Sequence, residues 1–175
     1  MDSIQNLVSV VIHMAQLPRG HLVPLVEQKC YNLNFDPNLV LAMIEVESSR
    51  DPTAESPYAR GLMQVSKAAL EQVNKDYVFN FTYDEMFDPE KNLTVGILYF
   101  KWLYNYFTTR YGLCKGLAYA VYAYNWGIGN VLKWLMEKPD NVEISRIPEE
   151  TVKHYAKFMW WLEFYESGRW KEYAD

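Results

Sequence analysis

Residues 45–65 read EVESSRDPTAESPYARGLMQV and place three glutamates, an Asp-Pro pair and one glycine between two apolar segments. Just upstream, Asp36-Pro37 predicts a helix start, because a carboxylate can cap the first turn and proline fits the first helical position. The apolar spacing of a helix then continues to about Ser48. Residues 49–62 lose that spacing and contain two prolines and Gly61, which predicts a loop.

Helical spacing extends over nearly the whole chain, and no segment alternates for long enough to predict a strand. Besides the helix ending near Ser48, the predicted helices are one capped by Asp2, one over about 21–33, one opening at Ser66, one from Asp88-Pro89 to about Tyr111, a buried one in 116–126, one over 131–138 and a last one opening at Pro148. We therefore expect an all-α protein. Residues 36–175 are expected to form one domain, with residues 1–35 as a helical extension packed on it.

The composition narrows the class of protein. A chain of 175 residues, half of them apolar, is long enough for one domain with its own core and argues against disorder. The net charge of −5 and the scattered lysines and arginines argue against nucleic-acid binding. Aromatic residues make up 16 %, which fits either an aromatic core or a cleft that stacks on sugar rings. No run of ~18 apolar residues is present in the sequence, so no stable membrane insertion is expected.

The cysteines and histidines give no sign of a metal or cofactor site. Cys30 and Cys114 are too few for a disulfide framework, and two buried thiols are expected. His13, His21 and His154 stand alone in the sequence, without the spacing of metal ligands. The sequence therefore predicts no metal and no cofactor.

Two glutamates lie at the end of the helix before the loop, and they cannot act together. Glu45 and Glu47 are two positions apart, hence about 200° apart around the helix axis. Glu47 continues the apolar stripe of the helix at the point where it opens into the loop. A partly desolvated carboxyl there keeps its proton more readily, as a general acid requires. The alternative is a solvent-exposed helix end. Glu45 is expected to lean out of the packing, and Glu55 to be solvated.

Four stretches, in order along about 39–160, resemble the motifs of the soluble lytic transglycosylase family. Residues 47–65 resemble its first motif, although the loop lacks the first glycine of the family pattern and is one residue shorter. The stretch DPEKNLTVGILYFKWL resembles its Asn-x-x-x-Gly-x-x-Tyr-Leu helix. The last two stretches resemble its Ala-Tyr-Asn-x-Gly motif and its closing Pro-x-x-Thr-x-x-Tyr signature. The matching residues are Asn92, Gly96, Tyr99, Ala123, Tyr124, Asn125, Gly127, Pro148, Thr151 and Tyr155.

This resemblance implies a lysozyme-like helical fold, which the family shares with goose-type lysozyme. It also implies cleavage of the β-1,4 bond between N-acetylmuramic acid and N-acetylglucosamine in peptidoglycan, with formation of a 1,6-anhydro sugar. Glu47 would be the single catalytic residue, first a general acid and then a general base. Substrate-binding roles are implied for Ser48, Gly61, Met63, Gln64, Tyr124, Asn125 and Tyr155.

The implied roles differ in kind. Gly61 would let the backbone approach the glycan, and Met63 and Gln64 would line the floor of the cleft, with core packing as the alternative for Met63. The Tyr124 hydroxyl would orient the Glu47 carboxyl. Asn125 would bind an N-acetyl group or hold the following turn. The tryptophans near the C-terminus, Trp160, Trp161 and Trp170, are expected to pack rather than to bind sugar.

Two other functions stay open at this point. A goose-lysozyme-like hydrolase would use Glu47 with a positioned water, and a two-carboxylate version needs a partner, for which Asp51, Glu55 and Glu71 are the local candidates. The second alternative is an inactive adaptor or structural protein of a virion or secretion system.

The N-terminal sequence bears on where such an enzyme would act. MDSIQNLVSVVIHMAQLPRG lacks the basic start of a secretory signal. The expectation is a monomeric enzyme that acts on the cell wall and arrives there by a phage lysis system, a virion or another route independent of a signal peptide. An endolysin of a bacteriophage would fit this description.

Overall fold

A computed structural model describes residues 16–137 and 146–173 of the chain. The predicted helix capped by Asp2 lies outside these residues. The helices are α1 (Arg19–Leu33), α2 (Pro37–Ser48), α3 (Lys67–Tyr77), α4 (Pro89–Tyr111), α5 (Leu113–Trp126), α6 (Ile128–Glu137) and α7 (Glu149–Glu166), with short 3₁₀ helices at Asp84–Phe87 and Arg169–Tyr173. The expectation of an almost entirely helical protein is confirmed, and the helix boundaries lie within a few residues of those expected.

Three helices begin where the sequence placed their caps. The Asp36 carboxylate accepts a hydrogen bond from the backbone N–H of Asn38, at 2.9 Å. Ser66 and Asp88 do the same at the starts of α3 and α4, where they accept from Ala69 and Lys91. Each cap satisfies a backbone donor that has no partner within its own helix, so these starts are set by local chemistry.

The core is built around two helix pairs. The long helix α4 packs along α5, and α2 packs along α7. The side chains of α2 are buried from Leu39 to Glu45, so this helix runs through the middle of the protein. Its C-terminal end therefore reaches the surface only at its last turn, where Glu47 lies.

A small antiparallel hairpin is present that the sequence did not predict. Strand β1 (Ala59–Arg60) pairs with β2 (Val65–Ser66), with Ala59 opposite Ser66 and Arg60 opposite Val65. A tight turn joins the strands, closed by a hydrogen bond from the Gln64 N–H to the Gly61 carbonyl at 3.0 Å. Strands of two residues are too short to produce an alternating pattern, which is why the sequence shows only a loop.

Only one of the two cysteines is in its expected, buried state. Cys30 is buried, and burial together with the charge of Asp36 raises the pKa of its thiol to about 12. Cys114 is exposed, so the expectation of two buried thiols is wrong for this residue.

Among the described helices, none is long and apolar enough to cross a membrane.

Glu45 does not lean into solvent, and that expectation is wrong. It is almost fully buried, and its Oε1 atom lies 2.9 Å from Arg19 and 3.2 Å from Arg50. The Tyr165 hydroxyl donates a further hydrogen bond to it, at 2.7 Å. A carboxylate can stay buried here because two guanidinium groups balance its charge. The cluster joins α1, α2 and α7 around one oxygen atom.

We expect Glu45→Gln to lower the free energy of unfolding by about 3 kcal/mol, because it leaves two partly buried guanidinium groups without their counter-charge. Urea denaturation followed by circular dichroism measures the change. Glu27→Gln, an exposed glutamate on α1, is the matched control and should stay within about 0.5 kcal/mol of the wild type. A Glu45→Gln protein as stable as this control would show that the ion pairs contribute nothing.

Candidate active site

The side chain of Glu47 lies at the C-terminal end of α2 and contacts a histidine from α7. Its Oε1 atom is 2.8 Å from His154 Nε2. The two side chains are only 14 % and 8 % exposed. Glu47 is therefore not a solvated helix end, which was the alternative reading of its position. The carboxyl is partly desolvated and held on one side.

Two adjoining cavities open at Glu47. One has a volume of about 360 Å³ and is lined largely by uncharged side chains, among them Tyr58, Tyr99 and Tyr124. The other, of about 580 Å³, is lined mainly by charged side chains of α7. Glu47, Asn125 and Glu150 line both. Because the cavities share these walls, they are two halves of one groove that passes the Glu47 carboxyl.

The turn Gly61–Gln64 is held from below by a buried asparagine of α4. Asn92 Nδ2 donates to the carbonyls of Arg60 and Met86, at 2.8 and 2.7 Å. Its Oδ1 accepts from the Met63 N–H at 2.9 Å. A Cβ on Gly61 would lie 2.2 Å from the Met86 carbonyl oxygen and 2.3 Å from this amide nitrogen, so the close approach requires glycine here. One amide thus fixes both ends of the turn.

Of the predicted floor residues, only Gln64 lines the groove. Its side-chain Nε2 donates to the carbonyls of Ala54 and Gly61, and so holds the loop to the turn. The Met63 side chain is fully buried and lies against Gly96, where a Cβ would be 2.5 Å from its sulfur. Met63 therefore matches the core-packing alternative, while its backbone belongs to the turn.

The Tyr124 hydroxyl is near Glu47 but donates elsewhere. It donates to the Met63 carbonyl at 2.7 Å. Burial, and then the negative charge of Glu47, raises the pKa of Tyr124 well above its usual value. Tyr124 is thus close enough to interact electrostatically with the Glu47 carboxylate, but the side chain that hydrogen-bonds Glu47 is His154. Tyr99 lies beside Tyr124, with ring centroids 5.8 Å apart.

Two further predicted residues link elements around the groove. Asn125 Oδ1 accepts from the Thr151 hydroxyl at 2.8 Å, which ties α5 to the start of α7. Its Nδ2 has no hydrogen-bond partner among the described residues, and Asn125 lines both cavities, so this amide is available as a donor for a ligand. Ser48 donates its hydroxyl to the Leu62 carbonyl at 2.7 Å and lines neither cavity.

Tyr155 is not at the groove, and the spacing of the closing signature explains why. Its ring packs on Tyr122, with centroids 5.2 Å apart, and it lines neither cavity. In the signature the tyrosine follows the threonine by three residues, whereas Tyr155 follows Thr151 by four. The residue at the correct spacing is His154. This spacing was the one sequence signal that could have identified the histidine.

The acidic partners considered from the sequence do not share the groove with Glu47. Asp51 accepts hydrogen bonds from Thr53, Glu55 pairs with Arg60, and Glu71 is exposed. The carboxylates that do line the groove are Glu149 and Glu150, which the sequence reasoning missed. Within residues 16–137 and 146–173, no three His, Cys, Asp or Glu side chains cluster as metal ligands would.

Other features lie away from the groove. A cavity of about 580 Å³ between α1, α2 and α4 includes Cys30 and Lys101 but none of the predicted site residues. Trp160 stacks on Phe164 at an interplanar angle of 8°, and the Arg19 guanidinium lies over the Trp161 ring. None of these groups lines the cavities beside Glu47.

The order of these motifs and their convergence on one groove agree with a known family. The transglycosylase SLT domain family matches residues 24–146, more than half of the chain. The chain belongs to this family. The match begins inside α1 and ends before α7.

Curated relatives of this SLT domain are longer proteins. Membrane-bound lytic murein transglycosylase C of Photorhabdus laumondii is 34 % identical over 123 residues, which are 66 % of this chain and 34 % of the relative. Membrane-bound lytic murein transglycosylase F of Desulfosudis oleivorans is 32 % identical over 117 residues, 66 % of this chain and 24 % of the relative. The chain thus spans about a third or less of these relatives.

Solved structures support the fold. The 70 kDa soluble lytic transglycosylase SLT70 of Escherichia coli aligns with a TM-score of 0.67 at 22 % identity, over 82 % of this chain and 24 % of that one. An inactive glutamate-to-glutamine mutant of lytic transglycosylase Slt from Pseudomonas aeruginosa aligns at 0.68 and 19 % identity, over 82 % and 23 %. The expected lysozyme-like all-α fold is confirmed.

The turn beneath the groove should depend on Asn92. We expect Asn92→Ala to lower the free energy of unfolding by about 3 kcal/mol, since it leaves one buried N–H and two carbonyls without partners. Urea denaturation measures this, with Asn105→Ala, an exposed position on α4, as the control. Equal stability of the two variants would contradict the role assigned to Asn92.

Proposed function

We propose that this SLT domain cleaves the β-1,4 bond between N-acetylmuramic acid and N-acetylglucosamine in peptidoglycan and forms a 1,6-anhydro end. The observation that carries the proposal is the Glu47 carboxyl at the junction of the two halves of the groove, held by His154 at 2.8 Å. Its relatives are named lytic murein transglycosylases, and the inactive mutant of the Pseudomonas aeruginosa enzyme is a glutamate-to-glutamine substitution.

In the first step Glu47 acts as a general acid. Its carboxyl proton passes to the glycosidic oxygen as the bond from that oxygen to the anomeric carbon breaks. The leaving sugar departs with a new hydroxyl group. The ring left behind carries positive charge at the anomeric carbon, which the substrate's own N-acetyl group can stabilise, as in substrate-assisted glycosidases.

In the second step the same carboxylate acts as a base. It removes the proton of the C6 hydroxyl as that oxygen bonds to the anomeric carbon, so Glu47 ends protonated as it began. The attack is intramolecular, which gives the hydroxyl a high effective concentration and needs no positioned water. A single carboxyl in a partly dry groove is sufficient for this sequence.

The walls of the groove suit a sugar polymer. The uncharged half presents the rings of Tyr58 and Tyr99, and Tyr58 is 82 % exposed at the rim. Sugar rings carry apolar faces that pack on aromatic side chains, and the Asn125 amide is a donor for an N-acetyl carbonyl. We assign substrate contacts to Gln64, Tyr58, Tyr99 and Asn125. Ser48, Gly61 and Met63 then shape the groove from behind.

One observation favours hydrolysis as the second candidate function. Glu150 lines both halves of the groove with Glu47, so a second carboxylate is available to activate a water. This hydrolase would resemble goose-type lysozyme in its products. The inactive-adaptor alternative is weakened by a groove that contains a desolvated, oriented carboxyl. Delivery by a phage or virion and a monomeric state stay predictions.

Digestion of purified peptidoglycan separates these functions. We expect the wild-type protein to release muropeptides with anhydro ends, which mass spectrometry distinguishes from hydrolytic ends because hydrolysis adds one water. Glu47→Gln should lower the rate by about 10³-fold or more while the fold is kept, because the amide cannot transfer the proton. Glu71→Gln, an exposed glutamate on α3, is the matched control and should act like the wild type.

Glu150→Gln identifies the reaction. An intramolecular attack needs no second base, so we expect this variant to keep the anhydro product and most of its rate. Products with reducing ends, lost in Glu150→Gln, would instead establish the hydrolase. Full activity of Glu47→Gln would contradict both.

A further inference from the structure

His154 is the only side chain in the described residues that hydrogen-bonds the Glu47 carboxyl. The contact joins Nε2 to Oε1 at 2.8 Å. Glu47 Oε2 has no hydrogen-bond partner among those residues. The two carboxyl oxygens therefore differ: Oε1 contacts the imidazole, and Oε2 has no hydrogen bond within the described part of the chain, on a residue that lines the groove.

The second ring nitrogen of His154 decides the protonation of the pair. Nδ1 is buried and has no hydrogen-bond partner in the described residues. A cationic imidazole, or a neutral one protonated on Nδ1, would bury an unpaired N–H group. Among buried backbone groups, an N–H without a partner is rarer than an under-satisfied acceptor, and the same preference is applied here to the ring nitrogen. The favoured form is thus neutral imidazole with its proton on Nε2.

Other groups around the histidine do not replace this contact. On α5, the Tyr124 hydroxyl donates its hydrogen bond to the Met63 carbonyl and not to His154 or Glu47. From α7 itself, Glu149, Glu150, Lys153 and Lys157 line the cavity with His154. Two carboxylates and two ammonium groups therefore line this cavity, in addition to the Glu47 carboxyl that His154 contacts.

We propose that His154 is a positioning residue: as a neutral imidazole it donates Nε2–H to Oε1 of Glu47, so that Oε2 alone gives and takes the proton of the glycan. This inference rests on the proposed function. A neutral donor fixes the carboxyl in both of its states, since Oε1 accepts a hydrogen bond whether or not Oε2 carries the proton. A cationic partner would instead favour the carboxylate and oppose the first, acid step.

Two substitutions test the role by kinetics. His154→Phe keeps a ring but removes the donor, and we expect kcat to fall about 10- to 100-fold with little change in KM, because a misplaced catalytic group slows chemistry more than binding. His154→Gln restores an N–H donor and should recover most of the rate. His21→Phe, an exposed histidine on α1, is the control. Equal loss in His154→Phe and His154→Gln, or no loss in His154→Phe, would overturn the proposal.

The protonation state can be read in the wild-type protein itself, with His154→Gln used to assign the signals. In ¹⁵N spectra of histidine-labelled protein, the His154 signals, assigned by their absence in His154→Gln, should show a neutral ring protonated on Nε2 at pH 7. The plot of kcat against pH should keep the same limbs in His154→Gln as in the wild type. A cationic ring, or a limb lost in this variant, would overturn the proposal.

Failure of the proposal is distinguishable from failure of the proposed function. If Glu47→Gln stays active, the proposed function fails and His154 has no catalytic group to position. If Glu47→Gln is inactive while His154→Phe keeps the wild-type kcat, the function stands and only the role of His154 is overturned.

Discussion

The amide of Asn92 is the constraint on which the groove depends. The turn between β1 and β2 is too short to satisfy its own backbone groups, and this one side chain supplies three hydrogen bonds to its surroundings. Because the turn carries the Met63 carbonyl, it also sets the place of Tyr124, which donates to that atom. Gly61 and Gly96 are the two positions that let the turn approach α4 so closely. The floor of the groove is therefore positioned from the core helix beneath it, not by the loop itself.

Helix α2 carries a structural carboxylate, Glu45, and a candidate catalytic carboxyl, Glu47, on nearly opposite sides. Glu45 and Glu47 point about 200° apart around the axis. The Glu45 carboxylate is buried and contacts Arg19, Arg50 and Tyr165. The Glu47 carboxyl contacts α7 through His154, which occupies only its Oε1 atom. Both contacts reach α7, so the helix that packs α2 into the core also orients its candidate catalytic carboxyl. Displacing α7 would disturb the stability of the core and the orientation of Glu47 together.

Local chemistry is what the sequence could predict, and long-range pairing is what it could not. Asp36 and Asp88 cap the helices that follow them, so their signals lie within a few residues. Whether a charged side chain on a helix is buried or exposed, by contrast, depends on partners far along the chain. Glu45 is buried only because arginines from α1 and from the loop after α2 reach it. His154 is isolated in the sequence and becomes a site residue only when α7 packs on α2. Tyr155 was favoured over it because a tyrosine near that position fitted the pattern, although the spacing did not.

A histidine at the tyrosine position of the closing signature keeps the property that an adjacent carboxyl can use, a hydrogen-bond donor at the end of an aromatic ring. A phenol with a pKa near 10 offers that donor without gaining charge. An imidazole can gain charge near neutral pH, which would oppose a neighbouring general acid. In this protein the second ring nitrogen of His154 is buried without a hydrogen-bond partner in the described residues, and this makes the cation unfavourable. Burial of that one atom thus supports the proposed role of this imidazole as a neutral donor to Glu47.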